Sequence, residues 1–419
     1  MPSTPGTTGD EVVRLRLRVG DGPAAGEQHA AAELRTWLAG DHRADGARDG
    51  RGGPAPAHRR GDDALARLRR LLVRRPRQHH PRPDHRRHRG PLPPPAQPPA
   101  PQRAGGDRHD PLRGRQPAHP DVGLLFYRAD LIGPGGLGTW DALAETVRTF
   151  RRERDPRVRA GLLTQLRAYE GLTVNAAEAV WRAGGEIVSG EGEKARVTVD
   201  EPAATAGLLD LVKAVGDEDS PGLPVIGDSS RHLDEQSSLE RFLSGEALML
   251  RDWPFAAVQL AQAEKRGTGE DRPRYGATQL PRARTGGSAA ALGGQNLAVV
   301  AGSGHDALAR DLLTYLTGAG AEHCLRDGGF VPARRSALAG ECEAGKYVGG
   351  ATPRGTELPA DFRRAYDTAL RAALEDARTR PVTPYYAAVT REIQQRVGAM
   401  RKGDVRLFAA ELTRTLRGR

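Results

Sequence analysis

Nineteen aromatic residues stand in a chain of 419, and several of them occupy places suited to holding a ligand. Tyr127, Tyr169, Trp253 and the pair Tyr385-Tyr386 lie beside polar residues or Gly/Pro punctuation, not in the middle of amphipathic helices. An aromatic ring with polar neighbours in a cleft is how proteins hold sugars: the ring covers the C–H face of a pyranose while carboxylates or guanidinium groups bond its hydroxyls. Taken singly, each of these residues also fits an ordinary core or surface aromatic. Signatures of covalent chemistry are absent: the chain has no His-Glu-x-x-His, no Walker loop, no G-x-S-x-G and no C-x-x-C. Gly302-Ser303-Gly304-His305-Asp306-Ala307 has the outline of a dinucleotide loop. The acidic residue such a fold needs about 20 residues on, at the end of a second strand, is matched by Asp327, which follows a helix and precedes Gly328-Gly329. The loop therefore reads as a strand-to-helix turn, and neither a cofactor nor a metal site is expected. Cys324 and Cys342 are the two cysteines; the pair fits one disulfide in an exported protein or two separate thiols.

The elements that must position these residues are unevenly distributed. The formal charge is +10 and the isoelectric point about 10.0, values that suggest an anionic partner. Almost all of it is local. Residues 41–120 hold 19 Arg, 8 Asp and neither Lys nor Glu, a surplus of 11, and the rest of the chain sums to −1. The same tract contains 15 of 31 prolines and 8 of 12 histidines but no Phe, Trp, Tyr or Ile. Such a composition cannot bury enough apolar surface to offset its ordering entropy. It fits a disordered basic linker or nucleic-acid tail, a His-rich metal tract around His79, His80, His85 and His88, or a segment translated out of frame. The last accounts for every oddity together, because Arg, Pro, Gly, Ala and His are what G- and C-rich codons yield in the wrong phase. Nucleic-acid binding is not expected, since a single-strand groove interleaves basic residues with stacking aromatics. The opening MPSTPGTTGDEVVRLRLRVG has no apolar stretch of the signal-peptide kind.

From residue 121 onward strands alternate with capped amphipathic helices, the pattern of an α/β protein. VGLLFYR (122–128) reads as a buried strand. A helix opens at Thr139 with Leu143, Val147 and Phe150 on one face, and another carries Leu172, Ala176, Ala179, Val180 and Ala183 before stopping at Gly184-Gly185. A third begins at Pro202. Ser237 and Glu240 read as the capping box of a short helix ending at Gly245; the strand EALMLR and the turn Asp252-Trp253-Pro254 follow. LGGQNLAVVA reads as a glycine turn and a buried strand leading into the helix DALARDLLTYL. Near the end, Val389, Ile393, Val397 and Met400 form one apolar stripe and Phe408, Leu412 and Leu416 another.

Seven segments in order, VGLLFYRADLI with TWDALAETV, YEGLTVNAAEAVWRAGGEIV, FLSGEALMLRDWPFA, QLPRA to LGGQNLAVV, DALARDLLTYLTG, GGFVPARRSAL and RPVTPYYAAVTREIQ, span residues 121–419. In this order the chain resembles the extracellular solute-binding proteins of ABC sugar importers, the maltose and trehalose type of family 1. The resemblance implies a periplasmic-binding-protein-like, type II fold: two α/β lobes joined by hinge strands and closing on a sugar, with the first lobe incomplete here. Residues 1–40 would be its remnant, 41–120 the anomalous segment, 121–290 the second lobe, 291–332 a return to the first, and 333–419 C-terminal helices of the second.

The resemblance also assigns a ligand site and no catalytic residue. It puts Tyr127 in the cleft, makes Tyr169 and Glu170 a ring and a carboxylate for the sugar, and makes Trp253 the main stacking platform. Gly293 and Gly294 would let backbone approach the ligand, and Arg334 would donate to hydroxyls from its planar fork. Gln295 stands where the family often has an aromatic. The implied protein is a monomer, not an enzyme, that captures a carbohydrate at the outer face of the membrane or in the periplasm and hands it to permease subunits. Weak binding or none is expected of a chain whose first lobe is incomplete. Two other readings stay open: the same fold holding glycerol phosphate, a polyamine or an amino sugar, and a nucleic-acid binder acting through 41–120, whose affinity would fall steeply with salt.

Overall fold

The computed structural model describes residues 116–269, 272–282, 290–299, 306–337, 357–400 and 402–417. In chain order the strands are β1 (Gln116–Val122), β2 (Leu124–Arg128), β3 (Ala160–Leu163), β4 (Val188–Ser189), β5 (Arg196–Val197), β6 (Val215–Gly216), β7 (Ile226–Gly227), β8 (Ala247–Asp252), β9 (Tyr275–Gln279) and β10 (Leu292–Leu297). The α-helices are α1 (Trp140–Thr149), α2 (Glu170–Arg182), α3 (Pro202–Ala214), α4 (Glu235–Leu243), α5 (Ala256–Arg266), α6 (Asp306–Leu316), α7 (Ala319–Asp327), α8 (Ala360–Glu375), α9 (Tyr386–Arg396) and α10 (Val405–Leu416).

Six strands form one mixed sheet in the order β6-β7-β3-β8-β2-β9. Within it β3 runs parallel to β7 and β8, whereas β2 is antiparallel to β8 and β9. Every residue of β2, β3 and β8 is buried, which is why they read as continuous apolar runs and do not alternate. The helices that connect the parallel strands are set by local chemistry. Thr139 caps α1 by accepting from the Ala142 amide at 3.2 Å, α3 opens on Pro202, and α2 is followed by Gly184 at φ +81. Close approach between α2 and α3 depends on Gly207: a Cβ there would lie 2.4 Å from the Ala179 carbonyl oxygen and 2.8 Å from the Val180 Cα. Gly207→Ala is therefore expected to destabilise the fold by about 1–3 kcal/mol, visible as a lower urea midpoint with an unchanged slope.

The later part of the chain returns to this core: α8 lies against β9, α9 against α2 and α10 against α9. Val389 and Ile393 of α9, with Phe408 and Leu412 of α10, are buried in the same core as β2 and β8, so the two apolar stripes near the C-terminus are packing faces. A second, smaller cluster gathers Leu312 and Leu316 of α6 with Leu297, Leu308 and Tyr315.

Three elements differ from expectation. The run 122–128 is not one strand: it divides at Gly123, and the part before it, β1, pairs antiparallel with β10 in a separate two-stranded ribbon. This ribbon reaches back to Gln116, so the last five residues of the tract expected to be irregular are strand. Pro117 and Pro120 are tolerated because, among the described residues, β1 pairs on one side only, with β10, so a missing amide donor on the other side breaks no ladder bond. Second, β10 is largely exposed, not buried, as a ribbon outside the main sheet must be. Third, α4 is capped by Asp234, whose carboxylate accepts from the Ser237 amide at 3.0 Å while the Ser237 hydroxyl accepts from the Asp234 amide at 2.9 Å. The capping box thus lies three residues earlier than its sequence reading, and α4 begins at Glu235.

Candidate functional site

In open α/β sheets ligands gather where parallel strands end at their carboxyl edge. Here β3 and β8 end side by side. Their continuations, Gln165 and Arg251-Asp252-Trp253, meet where Gln165 donates through Nε2 to the Arg251 carbonyl at 2.8 Å. Helix α2 starts just beyond β3 and α4 comes in from the neighbouring β7, so Tyr169, Glu170 and Glu235 all sit at helix beginnings along this edge.

Glu235 organises the cluster. Its Oε2 accepts from the Tyr169 hydroxyl at 2.7 Å and its Oε1 from the Trp253 indole Nε1 at 3.3 Å. Burial, and then the Glu235 carboxylate, pushes the Tyr169 phenol well above its ordinary range, so the hydroxyl stays a donor. Trp253 is half-buried, with the Arg251 guanidinium over its ring at 4.1 Å and Gly293 against its edge: a Cβ on Gly293 would stand 3.1 Å from the indole. Asp252, just before it, is fully buried. One of its oxygens accepts from the Trp253 amide at 2.8 Å, and the other has no partner among the described residues.

Glu170, adjacent to Tyr169, faces a different set. It accepts from Arg380 and the Tyr386 hydroxyl, and from the Thr390 hydroxyl at 2.7 Å. Beside these groups a cavity of about 500 Å³ runs along α2, lined by Thr173, Trp181, Glu186, Arg378, Arg380 and Tyr386 among others. The beginning of α2 therefore stands between a Trp253 side and a Tyr386 side.

Of the expected ligand residues, the structure brings Trp253, Tyr169 and Gly293 together and sets Glu170 next to them. Tyr127 is a correction: it is a core residue, 5% exposed, whose ring fills the space a side chain at Gly276 would need. Antiparallel pairing puts Leu124, not Tyr127, level with Asp252, and Tyr127 opposite Met249, about 10 Å further along the strand. The two glycines admit protein, not an open approach. Gly293 makes room for Trp253, and Gly294, at φ +111, would place a Cβ 2.2 Å from the His119 carbonyl oxygen. Gln295 is exposed on the ribbon. Arg334 belongs to another cluster, where its amide donates to Glu322 at 2.7 Å and its side chain to the Thr317 carbonyl. Cys324 is buried and disulfide-bonded; Cys342 lies outside the described residues, as do the His79–His88 tract and Gly302–His305.

Sequence reading missed Glu235, Arg251, Arg380 and Thr390. Glu235 was hidden by the misplaced cap; Tyr386 was visible as an aromatic beside proline, but nothing local ties it to Glu170. Because Glu235 holds both rings, Glu235→Gln is expected to weaken ligand binding about tenfold and to shift tryptophan emission, read by fluorescence titration.

A mixed α/β sheet flanked by helices, with a two-stranded ribbon beside it, is the build that the two-lobed sugar-binding proteins share. The family model for bacterial extracellular solute-binding proteins matches residues 94–323, and the chain belongs to that family. The match begins inside the basic tract, and strand β1 starts 22 residues later. A probable ABC transporter-binding protein of Deinococcus radiodurans is 32% identical over 207 residues, 48% of this chain and 46% of that one, so the match spans about half the relative's length. Solved structures share the fold. Maltose-bound MalE3 of T. maritima aligns with a TM-score of 0.57 at 23% identity over 72% of both chains. A solute-binding protein of Thermotoga lettingae bound with alpha-D-tagatose gives 0.56 at 17% over 72% of both. The GacH receptor of Streptomyces glaucescens, solved unliganded and with acarbose, gives 0.54 at 18% over 73% of this chain and 71% of that one. Among the described residues no helix is long and apolar enough to cross a membrane, and no group of His, Cys, Asp and Glu could hold a metal ion.

Proposed function

We propose that this chain captures a saccharide of one or more pyranose rings, of the maltose or trehalose kind, and presents it outside the cell to the membrane subunits of an ABC importer. One observation carries the reading: a half-buried indole fixed by Arg251 and Glu235, with a tyrosine hydroxyl and a second carboxylate beside it. A pyranose needs that combination, a ring face for its C–H groups and fixed polar groups at the rim for its hydroxyls. A phosphate-bearing solute fits less well, because Arg251, Arg380 and Arg167 at this edge are each already paired with a carboxylate.

The acidic character of the edge favours one second reading. Glu235, Asp252 and Asp121 surround the indole, and Asp121 and Asp252 each have a buried oxygen without a partner among the described residues. That set suits an amine, so an amino sugar or polyamine is the competing ligand. Calorimetric titration of the full chain with maltose, trehalose, glucosamine, spermidine and glycerol 3-phosphate decides. Binding of a neutral disaccharide that alters tryptophan emission supports the first reading. Binding of spermidine or glucosamine alone replaces it with the second, and binding of glycerol 3-phosphate alone overturns both.

A further inference from the structure

The β1–β10 ribbon joins the six-stranded sheet through Gly123, between β1 and β2, and at the same end of the ribbon β10 starts just after Ala291, which bridges Arg378. Gly123 and Ala291 both rest on one buried ion pair. Arg251 donates to Glu178 twice, Nε to Oε2 at 3.0 Å and Nη2 to Oε1 at 2.6 Å, and both side chains are more than nine-tenths buried. Glu178 Oε1 also accepts from the Ala291 amide at 3.0 Å. At Gly123 the contact is steric: a Cβ would lie 2.5 Å from Glu178 Oε1 and 2.7 Å from Arg251 Nη2. The same guanidinium covers the Trp253 ring at 4.1 Å, and Gln165 fixes its strand from the other side.

A buried pair of this kind contributes little net stability over a well-packed apolar pair, so its value lies in what it connects. We infer that Arg251 and Glu178 are positioning residues that tie the Trp253 ring to both strands of the ribbon at its Gly123–Ala291 end, so that the platform and the ribbon shift as one unit. For the ligand the inference rests on the saccharide reading; for the mechanical link it does not. A sugar stacked on the free face of Trp253 presses on a group already braced against Gly123 and Ala291. Occupancy of the site then stiffens the two strands on which the lobes turn.

The test compares the full-length wild type with Glu178→Gln, which keeps the shape and an acceptor for Ala291 but removes the charge. Hydrogen exchange is followed in peptides covering 120–125 and 290–295, without ligand. Emission of Trp253 is isolated by subtracting the spectrum of the Trp253→Phe chain. Exchange is expected to quicken about tenfold in both peptides, with a shift in Trp253 emission and unchanged exchange in β3. An effect confined to 290–295, with 120–125 and the emission as in wild type, reduces the pair to a local hydrogen bond and overturns the inference. So does a uniform rise across the sheet. If Glu178→Gln does not fold, Glu178→Met with Arg251→Met, which removes both charges together, carries the same comparison. In a second arm, maltose slows exchange in both peptides in wild type and does so about tenfold less in the variant. If no ligand binds wild type, the saccharide reading falls while the ligand-free exchange still decides the mechanical link.

Discussion

Trp253→Ala is expected to weaken saccharide binding about a hundredfold, close to 3 kcal/mol, and to abolish the sugar-induced change in tryptophan emission. Three losses add. The stacking face disappears, the Glu235 carboxylate loses the indole donor that holds it at 3.3 Å, and Arg251 loses the ring it covers. A large aromatic at the centre of a site carries more of the binding energy than its neighbours do. Trp140→Phe is the control. Trp140 lies at the start of α1 with its ring stacked on Arg182, not on Tyr169, Glu235 or Trp253, and binding should survive it. Isothermal titration and circular dichroism on both variants separate lost contact from lost fold. Retention of affinity in Trp253→Ala would remove the indole from the site.

Asp252→Asn should stabilise the protein, and by an amount that grows with pH. Asp252 is fully buried at the end of β8, with one oxygen unpartnered among the described residues. Burial pushes its carboxyl well above the usual carboxylate range; Glu235 and Asp121 add to the rise while the Trp253 amide and Arg251 oppose it. The folded state thus holds the proton more tightly than the unfolded chain. The stabilisation from this group is complete below the unfolded value, about 3.9, and declines as pH rises through the raised folded value. Asparagine matches the protonated acid in shape, cannot ionise, and offers an amide donor toward the neighbouring carboxylates. The variant should equal wild type near pH 4 and exceed it by about 1–3 kcal/mol at pH 8, measured by urea denaturation at both pH values. A difference independent of pH would show that Asp252 is ionised in the fold throughout. The comparison must be between variants, because Asp130, Asp155, Asp234 and Glu246 are shifted the other way by their arginine and serine partners and each contributes stability that is lost as pH falls.

Much of the architecture was legible in the residues because periodicity and capping act locally. Thr139, Gly184 and Pro202 set helix limits where they stand, and the segment order pointed to the family. What was illegible depends on pairing across the chain. Nothing in VGLLFYR says that Gly123 separates two sheets; that follows from Glu178 and Arg251 occupying the space a side chain would take. Tyr127 looks like a cleft residue until the register with β8 puts it opposite Met249. The binding edge was half visible. Trp253 and Tyr169 stood out as aromatics beside punctuation, while Glu235, which joins them, looked like one more helix-start acid. Arg251 is the reverse case, since an arginine at the end of an apolar strand reads as its solvent-exposed end until its partner is found 73 residues earlier.

The partners of Glu170 have a consequence for how the protein comes into being. Arg380, Tyr386 and Thr390 lie 210, 216 and 220 residues downstream of it, and α9 covers α2 only after it exists. A ribosome must therefore deliver the chain past Thr390 before the groups around Glu170 can assemble. Contacts of such long sequence separation form late and slowly. During synthesis the apolar faces of α2 and α3 wait uncovered, so chains released early would expose sticky surface and present half a binding edge.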